Sequence, residues 1–148
     1  MRVTLILFIT IMLIGVTFAE STPELNHGIV YLEEDRFAGW PANNGIWSWD
    51  DEIVVGFTLG YYKRKIGGHP IDPDRPSAAR QARSLDGGDT WTLELPSYLL
   101  DEAGSQRPAR EPEGDIDFTH PDFAARFRGD VFYYSYDRCR TWAGPYSL

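Results

Sequence analysis

The chain has 148 residues, with 14 lysines and arginines against 22 aspartates and glutamates and a formal charge of −8, which is room for one modest domain. Without a basic surplus to displace counterions, the composition argues against nucleic acid and acidic membrane as partners. The single cysteine, Cys139, cannot form an internal disulfide, so the core must hold the fold, and 14% aromatic residues supply bulk for one.

Arg2 gives a small basic start, Leu5 to Val16 is almost wholly apolar, and Thr17-Phe18-Ala19 closes the run with a small residue before Glu20. This pattern is that of a secretory signal peptide, residues 1–19, with cleavage near Ala19. The apolar run falls short of the roughly 20 residues needed to cross a bilayer. The expected product is secreted or periplasmic, with no stable membrane span after cleavage.

Beyond the leader, no segment keeps a 3.6-residue apolar period for three turns. Short apolar or alternating runs follow one another instead: Gly28 to Leu32, Gly45 to Trp49, Glu52 to Leu59, Ala78 to Ser84, Thr90 to Leu95, Phe123 to Phe127 and Val131 to Tyr136. Each reads as a strand, and Gly, Asp and Pro turns at this spacing predict an all-β protein. Two long polar connections, Lys63 to Pro76 and Asp101 to Asp117, carry half of the prolines, and loops of that length in a compact domain are usually functional or mobile.

One octapeptide occurs twice. Ser84-Leu85-Asp86-Gly87-Gly88-Asp89-Thr90-Trp91 and Ser135-Tyr136-Asp137-Arg138-Cys139-Arg140-Thr141-Trp142 both fit Ser-x-Asp-x-x-x-Thr-Trp. Strand-like residues precede each copy, which suggests a hairpin repeated once per sheet. The serine and aspartate can bond the turn's own backbone, Gly88 can take positive φ without a Cβ clash, and the tryptophan can cover the hairpin. Asp86 and Asp137 are therefore read as turn-formers.

This repeat is similar to the Asp-box of the sialidase family, Ser-x-Asp-x-Gly-x-Thr-Trp. The first copy matches every specified position, through Ser84, Asp86, Gly88 and Trp91. The second, through Ser135, Asp137 and Trp142, departs only at Cys139, where the family has Gly. Other features resemble the family in order: Arg36 with Pro41, the strand Glu52 to Leu59 leading to Lys63 and Arg64, a loop with His69, Asp72 and Asp74, and a strand into the first Asp-box. His120-Pro121 sits where many sialidases have Asn-Pro. Arg36-Phe37-Ala38-Gly39-Trp40-Pro41 departs from the tighter Arg-Ile-Pro form. The resemblance runs from Gly28 to the end.

What it implies is a six-bladed β-propeller of which residues 20–148 would form the N-terminal part, about two blades. It implies an exo-sialidase, a glycoside hydrolase that removes terminal sialic acid, with no cofactor and a sialylated or other acidic glycan as partner. The alternative is a non-catalytic Asp-box propeller that binds glycan or protein. The family grips the substrate carboxylate with arginines, uses an Asp as general acid/base, and attacks with a Tyr assisted by a Glu, an exception to the usual carboxylate pair. A neutral nucleophile avoids repulsion by the substrate's own carboxylate. That Tyr and Glu come from the family's later blades and are not assigned here.

Candidate roles follow. Arg36 is the first choice for the carboxylate clamp, since a guanidinium matches a carboxylate in a planar two-pronged pair; Arg64 is the second. Asp72 is favoured over Asp74 as the acid/base, because Ile71 beside it offers a partly apolar setting that would raise its pKa. His69 could bind substrate hydroxyls. No metal is expected: His69, Asp72 and Asp74 have no fourth ligand or recognised spacing, and Asp115, Asp117 and Asp122 lack the pattern of a calcium loop. Trp47 and Trp49 alternate toward one strand face and read as packing, while Tyr61 and Tyr62, at a strand end, are better placed to face a pocket.

Overall fold

A computed structural model describes residues 27–97 and 108–148; the expected signal peptide, residues 1–19, and the first part of the second long connection lie outside them. Eight strands and one short helix follow in order: β1 (Arg36–Gly39), α1 (Pro41–Asn44), β2 (Ile46–Trp49), β3 (Glu52–Tyr61), β4 (Ala78–Ser84), β5 (Thr92–Glu94), β6 (Ala124–Arg128), β7 (Val131–Ser135) and β8 (Ala143–Ser147). All strand pairing between them is antiparallel, and the protein is all-β. No helix among the described residues is long and apolar enough to cross a membrane.

The first sheet is built on β3. On one side β4 pairs with it along Ile53 to Leu59, and β5 follows β4. On the other side β1 pairs with Thr58 to Tyr61 and β2 with Glu52 to Val55, so the two lie end to end along one edge. The turn of α1 fills the gap. Pro41 opens it, where a missing N–H costs nothing, and Gly45 closes it at φ 97 with its N–H on Pro41 O. Gly56 opposite makes this possible: its N–H donates to Gly45 O at 2.8 Å, and a Cβ there would fall 2.5 Å from Asn44 O.

Strand alternation gives β3 two faces. Val54 points to the second sheet, β6-β7-β8, and packs in a core with Ala124, Tyr133, Cys139 and Trp142. Trp47 and Trp49 close its edge, as their alternation predicts; the rings of Trp47 and Trp142 stand 5.4 Å apart. Phe57 and Leu59 point the other way and, with Ala82, meet Val30, Tyr31 and Trp91. Cover on both faces explains why β3 reads as an almost unbroken apolar run.

Six of the seven expected strands form, with ends shifted by one or two residues at most places. Gly28 to Leu32 does not: it is irregular, and Val30 and Tyr31 lie on the face of the first sheet. Val30 and Tyr31 are partly buried by packing over the sheet while Ile29 and Leu32 stay exposed, and the edge of β3 that the segment could have joined is taken by β1 and β2. Two strands without a clear apolar alternation, β1 and β8, are additions.

An ionic cluster binds the sheets together. Arg83, on β4, forks onto Glu94 through Nε (2.7 Å) and Nη2 (3.0 Å), and its Nη1 donates to Glu52 Oε1 at 2.6 Å and to the Arg138 carbonyl at 2.8 Å. Arg138 and Arg140, from the second Asp-box, also reach Glu52, at 3.2 and 2.8 Å. Burial alone would raise the Glu52 pKa, but the hydrogen bonds of Arg138 and Arg83 outweigh it and the carboxyl titrates below its ordinary value.

Candidate functional site

The two Asp-boxes close β4 to β5 and β7 to β8, and their wiring is nearly the same. In the first, Ser84 Oγ donates to Asp86 Oδ1 at 2.7 Å and accepts from Gly88 N at 2.8 Å, while Asp86 takes the N–H and hydroxyl of Thr90 at 2.9 and 2.5 Å. In the second, Ser135 Oγ donates to Asp137 Oδ1 at 2.7 Å and accepts from Cys139 N at 2.9 Å, and Thr141 supplies the same two donors at 2.8 and 2.5 Å. Cys139 takes φ 65 where its counterpart Gly88 has φ 103. The cysteine thus leaves the hydrogen bonds intact.

Both aspartates are spent on their own turns. The Thr90 hydroxyl and then its N–H hold Asp86 down to about 2. Asp137, despite burial that works the other way, is likewise lowered by Thr141. Trp91 Nε1 returns to Gly88 O at 2.9 Å, and Trp142 Nε1 to Gln81 Oε1 at 3.3 Å across the sheet interface. The Cys139 thiol is fully buried, and that burial pushes its pKa far up. It is a core atom group.

The other candidates gather at the end of β3 on the face away from the second sheet. Arg36 stands opposite Tyr61 in the β1–β3 register. Its guanidinium carbon lies 4.3 Å from the Tyr61 ring centre, and Arg75 brings a second guanidinium to 3.2 Å. Stacking of this kind holds a guanidinium flat while its N–H edge stays available for an anion. Arg36 Nε is buried and has no hydrogen-bond partner. Arg80, in register with Phe57, shares this face, and it acts with Arg36 on Tyr31 by lowering its pKa. Burial and the hydrogen bond from the Tyr31 hydroxyl to Glu33 dominate, so Tyr31 titrates above its ordinary value.

The 63–76 loop folds back on the same strand end. Asp72 N donates to Tyr61 O at 2.8 Å, Lys63 N to Pro70 O at 3.1 Å, and Tyr62 bridges Ile71. Lys63 Nζ then joins both candidate acids, at 3.0 Å to Asp72 and 2.8 Å to Asp74. Asp74 N also donates to Asp72 Oδ1 at 3.1 Å.

This corrects the expectation that Ile71 would raise the Asp72 pKa. The Lys63 hydrogen bond is the larger influence, and the carboxyl is lowered and ionised at neutral pH. A neighbouring ammonium stabilises the charged form more than one adjacent apolar side chain disfavours it.

His69 is drawn in through its ring, 4.8 Å from Trp40. Arg64 is exposed at the loop tip and forms no ion pair among the described residues. Tyr62 is half exposed. Arg75 and Arg80 escape the sequence reading, since one sits in a proline-rich loop and the other in an alternating strand, and only the folded register shows which face each serves. Among the described residues no cluster of His, Cys, Asp and Glu has the makings of a metal site. Comparison with protein-family models, curated proteins and solved structures returns no match to this chain.

Proposed function

We propose that this chain is part of a sialidase-like glycoside hydrolase and that its share of the work is to hold the acidic end of a terminal sialic acid. The observation that carries the reading is the pair of guanidinium groups, Arg36 and Arg75, on the Tyr61 ring at 4.3 and 3.2 Å. Arg36 is half-buried, and its Nε lacks a protein partner. A substrate carboxylate is the natural acceptor for the outer N–H edge of a guanidinium held in this way. The adjoining loop presents Asp72, Asp74 and His69 to whatever lies beside that carboxylate.

A second reading, acidic-glycan binding without hydrolysis, has one observation in its favour. Asp72 is ionised and tied to Lys63, whereas a general acid must carry a proton at the working pH.

One experiment separates them. N-acetylneuraminic acid is titrated calorimetrically into the protein and into Arg36→Gln, and a fluorogenic aryl sialoside is offered in parallel. Binding that falls at least tenfold in R36Q, with release of the fluorophore by the wild type, supports the hydrolase. The same binding with no release supports the second reading. Absence of binding, or binding indifferent to R36Q, overturns both.

A further inference from the structure

On the opposite face of the first sheet, between α1, β3 and β4 on one side and β6 on the other, lies an open cavity of about 1070 Å³. That is the scale of a pocket for a small organic ligand. Its walls include Trp40, Asn43, Asn44, Thr58, Arg126 and Arg128, and among the described residues no aspartate or glutamate lines it. In a chain with a formal charge of −8, a concavity furnished with arginines and without an acid among the described residues that line it is a local reversal of sign.

The inner part of the site is built. Arg126 is only 6% exposed, and Asn44 equally so. Arg126 Nη2 donates to Asn44 Oδ1 at 3.1 Å, and Asn44 Nδ2 is itself fixed by Trp40 O at 2.8 Å and Thr58 Oγ1 at 3.4 Å. Arg128 stands two residues on along β6, hence on the same face. It is exposed and makes no salt bridge among the described residues. The wall therefore offers positive charge at one end, amide and hydroxyl groups beside it and an indole at the border. Burial lowers the Arg126 pKa to about 10, which leaves it cationic at neutral pH.

We propose that this cavity binds an acidic saccharide, a pyranose bearing one oxyanion, with Arg128 and Arg126 facing the oxyanion and Asn43 and Thr58 the hydroxyls. Arg80, which shares the Arg36 face, also borders the cavity; the Arg36 guanidinium itself does not line it, and the site does not depend on that group. A carboxylate and a sulfate ester present the same charge and acceptor geometry to a guanidinium, so the ligand could be a uronic acid or a sulfated sugar.

The test is calorimetric titration with D-glucuronate and with N-acetylglucosamine 6-sulfate, using glucose, N-acetylglucosamine and inorganic sulfate as controls. The variants are Arg128→Gln and Arg128→Glu, whose exposed position spares the core, and Arg36→Gln. The expected result is binding of at least one acidic sugar, tighter than any control, weakened at least tenfold by R128Q and further by R128E, and unchanged by R36Q. Preference between the two ligands identifies the oxyanion. The proposal is overturned if neither acidic sugar binds, if neutral sugar or bare sulfate binds as well, or if R128Q leaves binding intact. Loss in R36Q but not in R128Q would return the ligand to the other face, and this site would be abandoned.

Discussion

Arg140 donates through Nη2 to Glu52 Oε1 at 2.8 Å, so a residue of the second Asp-box grips a carboxylate 88 positions earlier in the chain. Arg83 meets the same oxygen from within the first sheet at 2.6 Å. Glu52 is thereby the point at which the two sheets are locked electrostatically, beside the apolar contact of Val54 with Tyr133, Cys139 and Trp142.

Removing that charge should be costly, because it takes a carboxylate from Arg83, Arg138 and Arg140 at once and leaves the buried Arg83 guanidinium with Glu94 as its one carboxylate partner among the described residues. Glu52→Gln is expected to lose about 3 kcal/mol, in the range found when one partner of a buried ion pair is deleted. Arg140→Ala, at an exposed partner, should lose less than about 1 kcal/mol. Urea denaturation at pH 7 reads both. If the two variants lost similar stability, Glu52 would not be the lock between the sheets.

Acid should loosen the fold through the same carboxylates. Asp86, held at about 2, and Asp137 and Glu52, also lowered, bind protons less readily folded than unfolded. Their stabilisation is full above the unfolded values of about 4 and is lost as pH falls through the folded ones toward about 2. Melting temperature measured from pH 6 to pH 2 should stay level, then fall below about pH 4. In Asp86→Asn, which no longer titrates there, the fall should be shallower; an unchanged slope would remove Asp86 from the account.

The Cys139 thiol is fully buried with its pKa raised by that burial. A disulfide reagent needs the exposed thiolate. Its reaction at pH 8 is therefore expected to be at least about 100-fold slower in the native protein than in denaturant, since it has to wait for opening of the core. Fast native labelling would mean that the sheet interface opens readily.

Lys63 lowers the Asp72 pKa through its hydrogen bond at 3.0 Å, and it also bonds Asp74 at 2.8 Å. Lys63→Met should let the Asp72 pKa climb back toward its ordinary value, which carboxyl carbon chemical shifts followed against pH will report. The bond from Asp74 N remains and still favours the ionised form, so the return should be partial. An Asp72 titration indifferent to K63M would show that the loop's backbone, not the ammonium, governs it.

Much of this fold is legible in the sequence because its determinants are local. The turns of Ser84 to Trp91 and Ser135 to Trp142 carry their own hydrogen-bond partners within eight residues, so the same letters make the same loop twice. Strands β3 and β7 carry enough apolar, aromatic and β-branched character to declare themselves. Arg36-Phe37-Ala38-Gly39 has no such pattern; it becomes β1 because the edge of β3 between Thr58 and Tyr61 is open to pair with it. Ala143 to Ser147 likewise becomes β8 on the edge of β7.

By itself, then, the sequence determined the all-β class, the two clasped hairpins and the placing of Arg36, His69, Asp72 and Asp74 among the candidates. The tertiary structure decided the rest: that Arg75 joins Arg36 on Tyr61, that Lys63 lowers the Asp72 pKa, and that Arg126 and Arg128 face a cavity while Glu52 gathers three arginines. The division has a physical cause. A turn's hydrogen bonds close over a few residues and are written in order, whereas the charge and exposure of a long side chain depend on which distant strand the register brings beside it.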